Sequence, residues 1–229
     1  MLKNNRLNDE IIDLVQDPAI THEQDSSKRL ISEHTSSILA KSRILFLEDS
    51  FNGTSCGVLI KLLLVLDAQA ETKGLKGGDS DISLYVNSPG GEITMGFALM
   101  ATIRNLKYSK VNVIIIGQAC SMGAYLLTCT TGKRYATPLS RVMYHRASGG
   151  ASGNVQDTRI RFEEMEKMDR KLAEEITMCS NFKTVEDYLK FVTRDAFLSP
   201  EEALKHGLID EILKPVWFYD IKKKTWVNK

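Results

Sequence analysis

The chain has 229 residues, of which 43% are hydrophobic and 26% charged, the composition of an ordinary globular protein. Its 30 basic and 29 acidic residues leave a net charge of +1, which provides no general attraction to nucleic acid or an anionic membrane. The best apolar run, Val58 to Leu66, is interrupted by Lys61, and the acidic N-terminus lacks a signal-peptide core. The 4 cysteines are scattered and lack metal-type pairing, as expected for buried free thiols. We therefore expect a cytoplasmic protein with no membrane or nucleic-acid partner.

The two ends of the chain differ from its middle. Residues 1–41 are polar and weakly patterned, and the run from His22 to Lys28 is loop-like, so we expect an N-terminal arm that is flexible or ordered only by a partner. Residues 214–229 mix aromatic residues with lysines, which indicates a small hairpin or an arm lying on a neighbour. The sequence thus predicts one core domain over residues 42–213.

Strands and helices alternate within this core, which is typical of an α/β protein with a parallel sheet. The predicted strands are 43–47, 82–86, 113–116, 132–136, 140–144 and 209–213, with a turn at Gly117. The predicted helices are 52–66, 92–106, 121–127, 155–180, 184–193 and 199–207. Because active sites of such folds gather at the carboxyl ends of strands, the residues that follow the strands are the first candidates for site residues.

Ser121 lies where a β-branched apolar strand gives way to a helix of small apolar residues. The unpaired N–H groups at the start of a helix are suitable donors to an oxyanion beside a nucleophilic hydroxyl. Serine is also a preferred helix N-cap. At this point the sequence leaves both roles open.

Two other strand ends carry candidate site residues. Gly90 and Gly91 follow one strand, where two glycines form either a tight turn or a backbone that approaches a ligand closely. His145 follows another strand and is the one histidine placed directly after a core strand, so it is either a structural histidine or the base that a nucleophilic serine needs. Spacing does not select an acid, because 29 acidic residues compete.

The predicted helix over 155–180 is dense in charge and has only a narrow apolar stripe. Such a helix buries little within its own domain, so it either stands in solvent or pairs with the same helix of another subunit. We favour the second interpretation.

Four motifs in order carry a resemblance to a known family: residues 85–91, 117–124, 140–145 and 194–199. They resemble the glycine-turn, nucleophile, histidine and aspartate motifs of the proteolytic subunit of the Clp protease. Residues 202–210 match the C-terminal helix and strand of that family, and the likeness covers roughly 43–213. The resemblance implies an α/β, crotonase-like fold, a repeated ββα spiral with a protruding handle helix at 155–180.

The resemblance also implies a role for each matching residue. Ser121 would be the nucleophile, His145 the general base and Asp195 the carboxylate that orients it. The implied oxyanion hole is formed by the N–H groups of Gly91 and Met122. The implied residues that flank a substrate strand are Gly90, Ile93, Ser148 and Gly150, and Arg194 would serve in oligomerisation.

At the level of the molecule, the resemblance implies a serine endopeptidase that cleaves unfolded polypeptides inside two stacked heptameric rings. The rings would contain this subunit or paralogous subunits, and an AAA+ unfoldase such as a Clp ATPase would use ATP. No cofactor or metal is implied for this subunit. Two alternatives stay open: a structural or regulatory subunit of a mixed ring, and a crotonase-type acyl-CoA enzyme.

The chain departs from the family pattern in four places. Arg146 and Ala147 follow the histidine where the family usually has Gln-Pro, and Thr193 replaces an acid that pairs across the ring interface. The loop from Gly74 to Asp81 is longer than usual, and the segment before Ser42 lacks the usual first-helix pattern. None of these departures touches the three implied catalytic residues.

Overall fold

The computed structural model describes residues 26–220 and 224–228 of the chain. The described residues fall into two units, which divide between Leu45 and Phe46. In the first unit, α1 (Ser26–Lys41) is a helix, where the sequence predicted an irregular arm. Apolar Leu30, Ile31 and Ile38 recur at helical spacing within its otherwise polar sequence, a pattern too sparse to stand out. The remainder of the predicted arm, residues 1–25, lies outside the described residues.

A seven-stranded sheet forms the centre of the second unit, and it confirms the predicted α/β class with a parallel sheet. The order is β1-β2-β3-β4-β7, all parallel from β2 to β7, while β5 pairs with β3 in parallel and with β6 antiparallel. The strands are β1 (Ile44–Leu47), β2 (Ile82–Ser88), β3 (Val111–Cys120), β4 (Arg134–Ala136), β5 (Arg141–Tyr144), β6 (Ala196–Leu198) and β7 (Glu211–Ile212).

The helices pack around this sheet and begin where the sequence placed their caps. Asn52 and Ser199 form capping boxes at the first residues of their helices, and the Thr184 side chain accepts from the Asp187 N–H. The helices are α2 (Gly53–Thr72), α3 (Ile93–Asn105), α4 (Met122–Tyr125), α5 (Val155–Cys179), α6 (Val185–Phe191) and α7 (Pro200–Lys205), with 3₁₀ turns at Gly77–Asp79 and Leu126–Cys129.

Strand β3 is longer than predicted, because it continues through Gly117 to Cys120. The predicted turn at Gly117 is instead an irregularity of the β2–β3 ladder, whose register shifts between Val86 and Ser88. There the Asn87 side chain accepts from the Gln118 N–H at 3.2 Å, and a Cβ on Gly117 would lie 2.5 Å from the same Asn87 oxygen. Beyond this point β3 leaves β4 and pairs with β5, which brings its end to the candidate site.

Helix α2 is 20 residues long and, despite Lys61, apolar enough by length and composition to cross a membrane. Core helices of soluble proteins pass the same test. One face of α2 is buried through Cys56, Leu59, Leu63 and Leu66, while Val58, Leu64 and Val65 on the other face are about half exposed.

The C-terminal tail forms a two-stranded antiparallel hairpin, one of the two forms predicted for it. Its strands are β8 (Trp217–Asp220) and β9 (Thr225–Asn228), with Trp217 opposite Asn228 and Asp220 opposite Thr225. These two strands make a sheet of their own, separate from the seven-stranded sheet.

Candidate active site

Ser121 and His145 contact each other directly, with 2.7 Å between the serine Oγ and the histidine Nε2. The sheet produces this contact. Strand β3 ends beside β5 with Cys120 opposite Met143, and the Ser121 N–H donates to the Met143 carbonyl at 2.8 Å. Two residues further along β5's direction, His145 reaches back to the serine. Chain pairing alone therefore places a base within hydrogen-bond distance of a hydroxyl.

The backbone of Ser121 has φ 51° and ψ −125°, which is unusual for a residue other than glycine. It occupies the N-cap position of α4, but its side chain makes no capping hydrogen bond. The interpretation of Ser121 as an ordinary helix cap is therefore wrong, since the hydroxyl faces His145 instead. The helix it precedes is also shorter than predicted, with one α-helical turn followed by a 3₁₀ turn. Backbone strain of this kind costs about 1–3 kcal/mol and is concentrated at functional sites.

The Gly90–Gly91 turn packs against the serine. Both glycines have positive φ, at 96° and 147°. A Cβ on Gly90 would lie 2.6 Å from the Ser121 Cβ, and one on Gly91 would lie 2.5 Å from the Phe51 carbonyl oxygen. Phe51 also donates its N–H to the Gly90 carbonyl at 2.8 Å. The turn is thus held between Phe51 and Ser121, in a space that only glycine fits.

Gly91 and Met122 lie on a cavity of about 50 Å³ that also contains Ser121 and His145. In the part of the chain that the structure describes, no hydrogen bond uses the N–H of Gly91 or of Met122. The Met122 side chain is buried, so this residue can reach the cavity with its backbone. The geometry is compatible with the predicted oxyanion hole, and that role remains a prediction.

The remaining walls of the cavity come from both sides of the serine. Ile93, Tyr125 and Leu172 supply apolar surface, and residues 146–148 supply the opposite rim. Of the residues predicted to flank a substrate strand, Ile93 and Ser148 line this cavity and Gly90 packs against Ser121. Gly150 lies in more open surroundings, where an added Cβ would meet nothing within 4 Å.

Asp195 lies across from His145 but makes no ion pair with it among the described residues. The antiparallel pairing of β5 with β6 sets Tyr144 opposite Ala196, and continuing this register by one residue puts Asp195 opposite His145. The Asp195 side chain is nevertheless exposed, and among the described residues no hydrogen bond joins it to the imidazole. Arg194 is exposed beside it. The orienting role of Asp195 therefore stays a prediction.

Three buried tyrosines, which no sequence pattern predicted, support the serine and histidine segments. The Tyr125 hydroxyl donates to the His145 carbonyl at 3.2 Å and lies 2.6 Å from the Tyr188 hydroxyl. The Tyr144 hydroxyl donates to the Ala124 carbonyl at 3.1 Å. Burial raises the pKa of each of these phenols, so all three keep the proton they donate. Three separate elements contribute them, and no local motif marks them.

Asp169 of α5 is a second contact that the sequence analysis missed. Its buried carboxylate accepts hydrogen bonds from Arg146 and from the Ala147 N–H, the two residues after the histidine. A signal was present, because Met165, Asp169, Leu172 and Ile176 share one helical stripe, with spacings of four, three and four residues. An acidic residue within the apolar stripe of a charged helix indicates a buried carboxylate with a specific partner.

The thiol next to the serine does not compete with it as a nucleophile. Burial raises the pKa of the Cys120 thiol, and it raises that of Cys129 to about 12. The cysteines are free, and Cys56, Cys120 and Cys129 are buried. Across residues 26–220 and 224–228, no group of three or more His, Cys, Asp or Glu side chains could hold a metal ion.

A family model described as Clp protease matches residues 27–216. The match covers most of the chain and contains every candidate site residue. It begins in α1, well before residue 43, where the resemblance drawn from the motifs began. Residues 27–41 of the segment before Ser42 therefore lie within the match, whereas residues 1–26 lie outside it.

Proposed function

Because the chain belongs to the Clp protease family and is a peptidase subunit, we propose that it is a serine endopeptidase with Ser121 as its nucleophile. The observation that carries the proposal is the 2.7 Å contact between the Ser121 hydroxyl and the His145 imidazole. A strained serine next to a base and beside two uncommitted N–H groups is the arrangement that acyl transfer requires.

In the proposed reaction, the Ser121 oxygen attacks the carbonyl carbon of the scissile peptide bond while His145 Nε2 takes the hydroxyl proton. The N–H groups of Gly91 and Met122 stabilise the negative charge that develops on the carbonyl oxygen. His145 then gives the proton to the leaving amine, and water hydrolyses the acyl-enzyme by the same steps. Asp195 orients the imidazole in this proposal and stabilises its protonated form.

Substrate binds as an extended strand between residues 91–93 and 148–150. The apolar surface of Ile93, Tyr125 and Leu172 in the cavity supports an apolar side chain beside the scissile bond. Because backbone pairing carries most of this recognition, an unfolded polypeptide is the substrate class that fits.

The proposed assembly is a pair of stacked heptameric rings served by an AAA+ unfoldase such as a Clp ATPase, which uses ATP while this subunit needs no cofactor. Two exposed apolar surfaces support self-association. One is the outer face of α2, and the other is the first half of α5, where Val155, Ile160 and Phe162 are exposed. We assign α5 to the contact between rings and Arg194 to the same interface, in a cytoplasmic particle.

The decisive experiment is labelling with a fluorophosphonate, which reacts with an activated serine. We expect the wild-type protein to be labelled and Ser121→Ala to be unlabelled and to lose about 10⁴-fold or more of its peptidase activity. Thr137→Ala, which alters another hydroxyl away from the cavity, serves as the control. Equal labelling of wild type and Ser121→Ala would rule out Ser121 as the nucleophile.

The exposed position of Asp195 favours a second candidate, a structural or regulatory subunit of a mixed ring with a paralogue. Mass and peptidase activity of the chain purified alone distinguish the two candidates, because an active homomeric particle would exclude obligate mixing. The family match gives no support to the acyl-CoA enzyme alternative.

A further inference from the structure

We propose that Asp169 is a positioning residue that holds His145 in place for the reaction, through the two residues that follow it. The inference rests on the proposed function, because it assigns a purpose to Asp169 only if His145 is the base. Asp169 does not touch the reacting atoms. It lies on α5, which reaches the histidine segment from a different part of the chain.

Both oxygens of the Asp169 carboxylate are engaged by the histidine segment. Oδ1 accepts from the Ala147 N–H at 2.7 Å. Oδ2 accepts from Arg146 Nε at 2.6 Å, and another guanidinium nitrogen of Arg146 lies 2.6 Å from the same oxygen. Charge-assisted hydrogen bonds of this forked kind are strong and directional. One carboxylate therefore fixes a backbone atom and a side chain immediately after His145.

Burial makes this anchor more demanding than a surface ion pair. The Asp169 side chain is 8% exposed, whereas that of Arg146 is 49% exposed. A buried carboxylate must keep its hydrogen-bond partners, because leaving it unpaired costs far more than breaking a pair in solvent. The segment that it holds, residues 145–152, has no helical or strand structure to fix its path.

The imidazole depends on this backbone support. The Tyr125 hydroxyl donates to the His145 carbonyl. The residues before His145 form strand β5, which is paired in the sheet, and Asp169 accepts from the backbone after it. In the described residues, the hydrogen bond of the imidazole itself is to Ser121. Because no hydrogen bond joins Asp195 to the ring among the described residues, the backbone on either side of His145 contributes to the orientation of the ring.

The sequence change next to His145 fits this role. Ala147 occupies the place where the family resemblance would put a proline, and a proline has a fixed φ but no N–H to donate. Here the rigidity of a proline ring is absent, and the Ala147 N–H is the donor that Asp169 uses. The anchor from α5 substitutes for a local restraint on the backbone.

The test uses the full-length assembled protein and compares Asp169→Asn with wild type. The amide keeps the size of the carboxylate but presents a donor to the Arg146 guanidinium and loses the charge. We expect kcat for a fluorogenic peptide to fall about 10- to 100-fold with KM changed less than about threefold, because a displaced base slows the chemical step. The rate of fluorophosphonate labelling of Ser121 should fall by the same factor. Asp169→Glu, which restores the carboxylate, should regain most of both rates.

Glu175→Gln is the matched control. Glu175 is the other buried carboxylate of α5, and it pairs with Arg104 at a distance from His145. Its replacement disturbs the same helix but leaves the histidine segment untouched, so we expect kcat and labelling within about twofold of wild type. An equal loss in Glu175→Gln would mean that α5 acts only as a structural support, and it would overturn the proposal.

A second variant tests the same contact if Asp169→Asn does not assemble. Arg146→Gln alters the half-exposed partner of the same contact, and we expect a loss of about three- to tenfold in kcat. A wild-type kcat in folded Asp169→Asn would refute the positioning role. If Asp169→Asn does not assemble, a wild-type kcat in Arg146→Gln would refute it. Absence of peptidase activity and labelling in the wild-type protein would instead refute the proposed function, so the two failures are distinguishable.

Discussion

At the scale of single residues, the site depends on how closely three backbone segments approach one another. The Gly90 Cα, the Ser121 Cβ and the Met122 N–H meet in a space that has no room for another methyl group. This crowding restricts Ser121 to its unusual backbone conformation. The strain at the serine persists because the neighbouring segments do not let it relax.

Replacing Gly90 with alanine tests this crowding. The new Cβ would meet the Cys120 carbonyl and the Ser121 Cβ at 2.6 Å, at a φ of 96° that side chains rarely adopt. We expect Gly90→Ala to lose about 100-fold or more of its peptidase activity and about 2–4 kcal/mol of its free energy of unfolding. Peptidase assays and thermal melting check both.

Gly78→Ala is the control for this prediction, because a Cβ at Gly78 would meet nothing within 4 Å. It should leave activity and stability close to those of wild type. A Gly90→Ala protein as active as Gly78→Ala would contradict the account of a turn packed against the nucleophile.

Residue types at strand ends were enough to name the serine and the histidine as candidates, with a structural role still open for each, and these two are in contact. They were not enough to exclude a capping role for Ser121, because no sequence pattern predicts the positive φ of this residue. Asp169 was hidden among the many charges of α5, since its burial depends on what packs against the helix. The tyrosine hydroxyls were out of reach for the same reason: their partners lie on other elements.

At the scale of elements, β4, β7 and the end of α5 are joined by one arginine. Arg134 donates to both carboxylate oxygens of Asp210, at 2.6 and 3.2 Å, and to the Cys179 carbonyl at 2.9 Å. The Arg134 N–H adds a fourth bond, to Asp210 at 2.8 Å. The short strand β7 is held on the sheet by this pair as much as by its ladder.

The Arg134 guanidinium lowers the pKa of Asp210, and this gives a pH-dependent prediction. We expect Asp210→Asn to lower the free energy of unfolding by about 1–3 kcal/mol at pH 7, where the carboxylate is ionised in both states. Because the pKa is lower in the folded state than in the unfolded state, the contribution is present above about pH 4 and is lost as pH falls through the folded value. The difference between wild type and variant should therefore shrink in acid.

Denaturant unfolding at several pH values measures this difference. Glu211→Gln, an exposed neighbour, should change stability by less than about 0.5 kcal/mol throughout. A difference between wild type and Asp210→Asn that stays constant down to pH 3 would show that the ion pair is not its origin.

The order of strands and helices could be predicted because a β-branched stretch or a helix cap is recognised from a few neighbouring residues. The extent of β3 could not be predicted, because a glycine at this position indicates a turn. The hydrogen bond from the Gln118 N–H to the Asn87 side chain, which accompanies the continued strand, joins residues far apart in sequence. Helix α1 was missed for a similar reason, since its few apolar residues are diluted by polar ones. The position of Asp195 opposite His145 required the pairing of β5 with β6, two strands that are far apart in sequence.

At the scale of the whole molecule, an isolated subunit leaves apolar surface uncovered. Val58, Leu64 and Val65 of α2 are 54, 54 and 51% exposed, on a helix whose other face is buried in the core. An apolar stripe of this size on a regular helix is typical of a subunit interface.

We expect Leu64→Glu to reduce the mass of the assembled particle without lowering the melting temperature of the subunit. A charge buried at an interface without a partner costs several kcal/mol, whereas an exposed glutamate on an isolated subunit costs little. Mass photometry or sedimentation checks the mass, with Lys61→Gln on the same helix as the control. An intact particle in Leu64→Glu would exclude this face from the assembly.

The order in which the chain is synthesised has a consequence for the site. Strand β5, which delivers His145, is flanked on one side by β3 and on the other by β6, and its following segment is held by Asp169. A nascent chain that ends between residues 145 and 196 therefore contains the serine and the histidine but lacks strand β6, one of the supports that fix them. We therefore expect the proposed site to be completed late in synthesis, because the last restraint on the base is among the last parts of the sheet to be made.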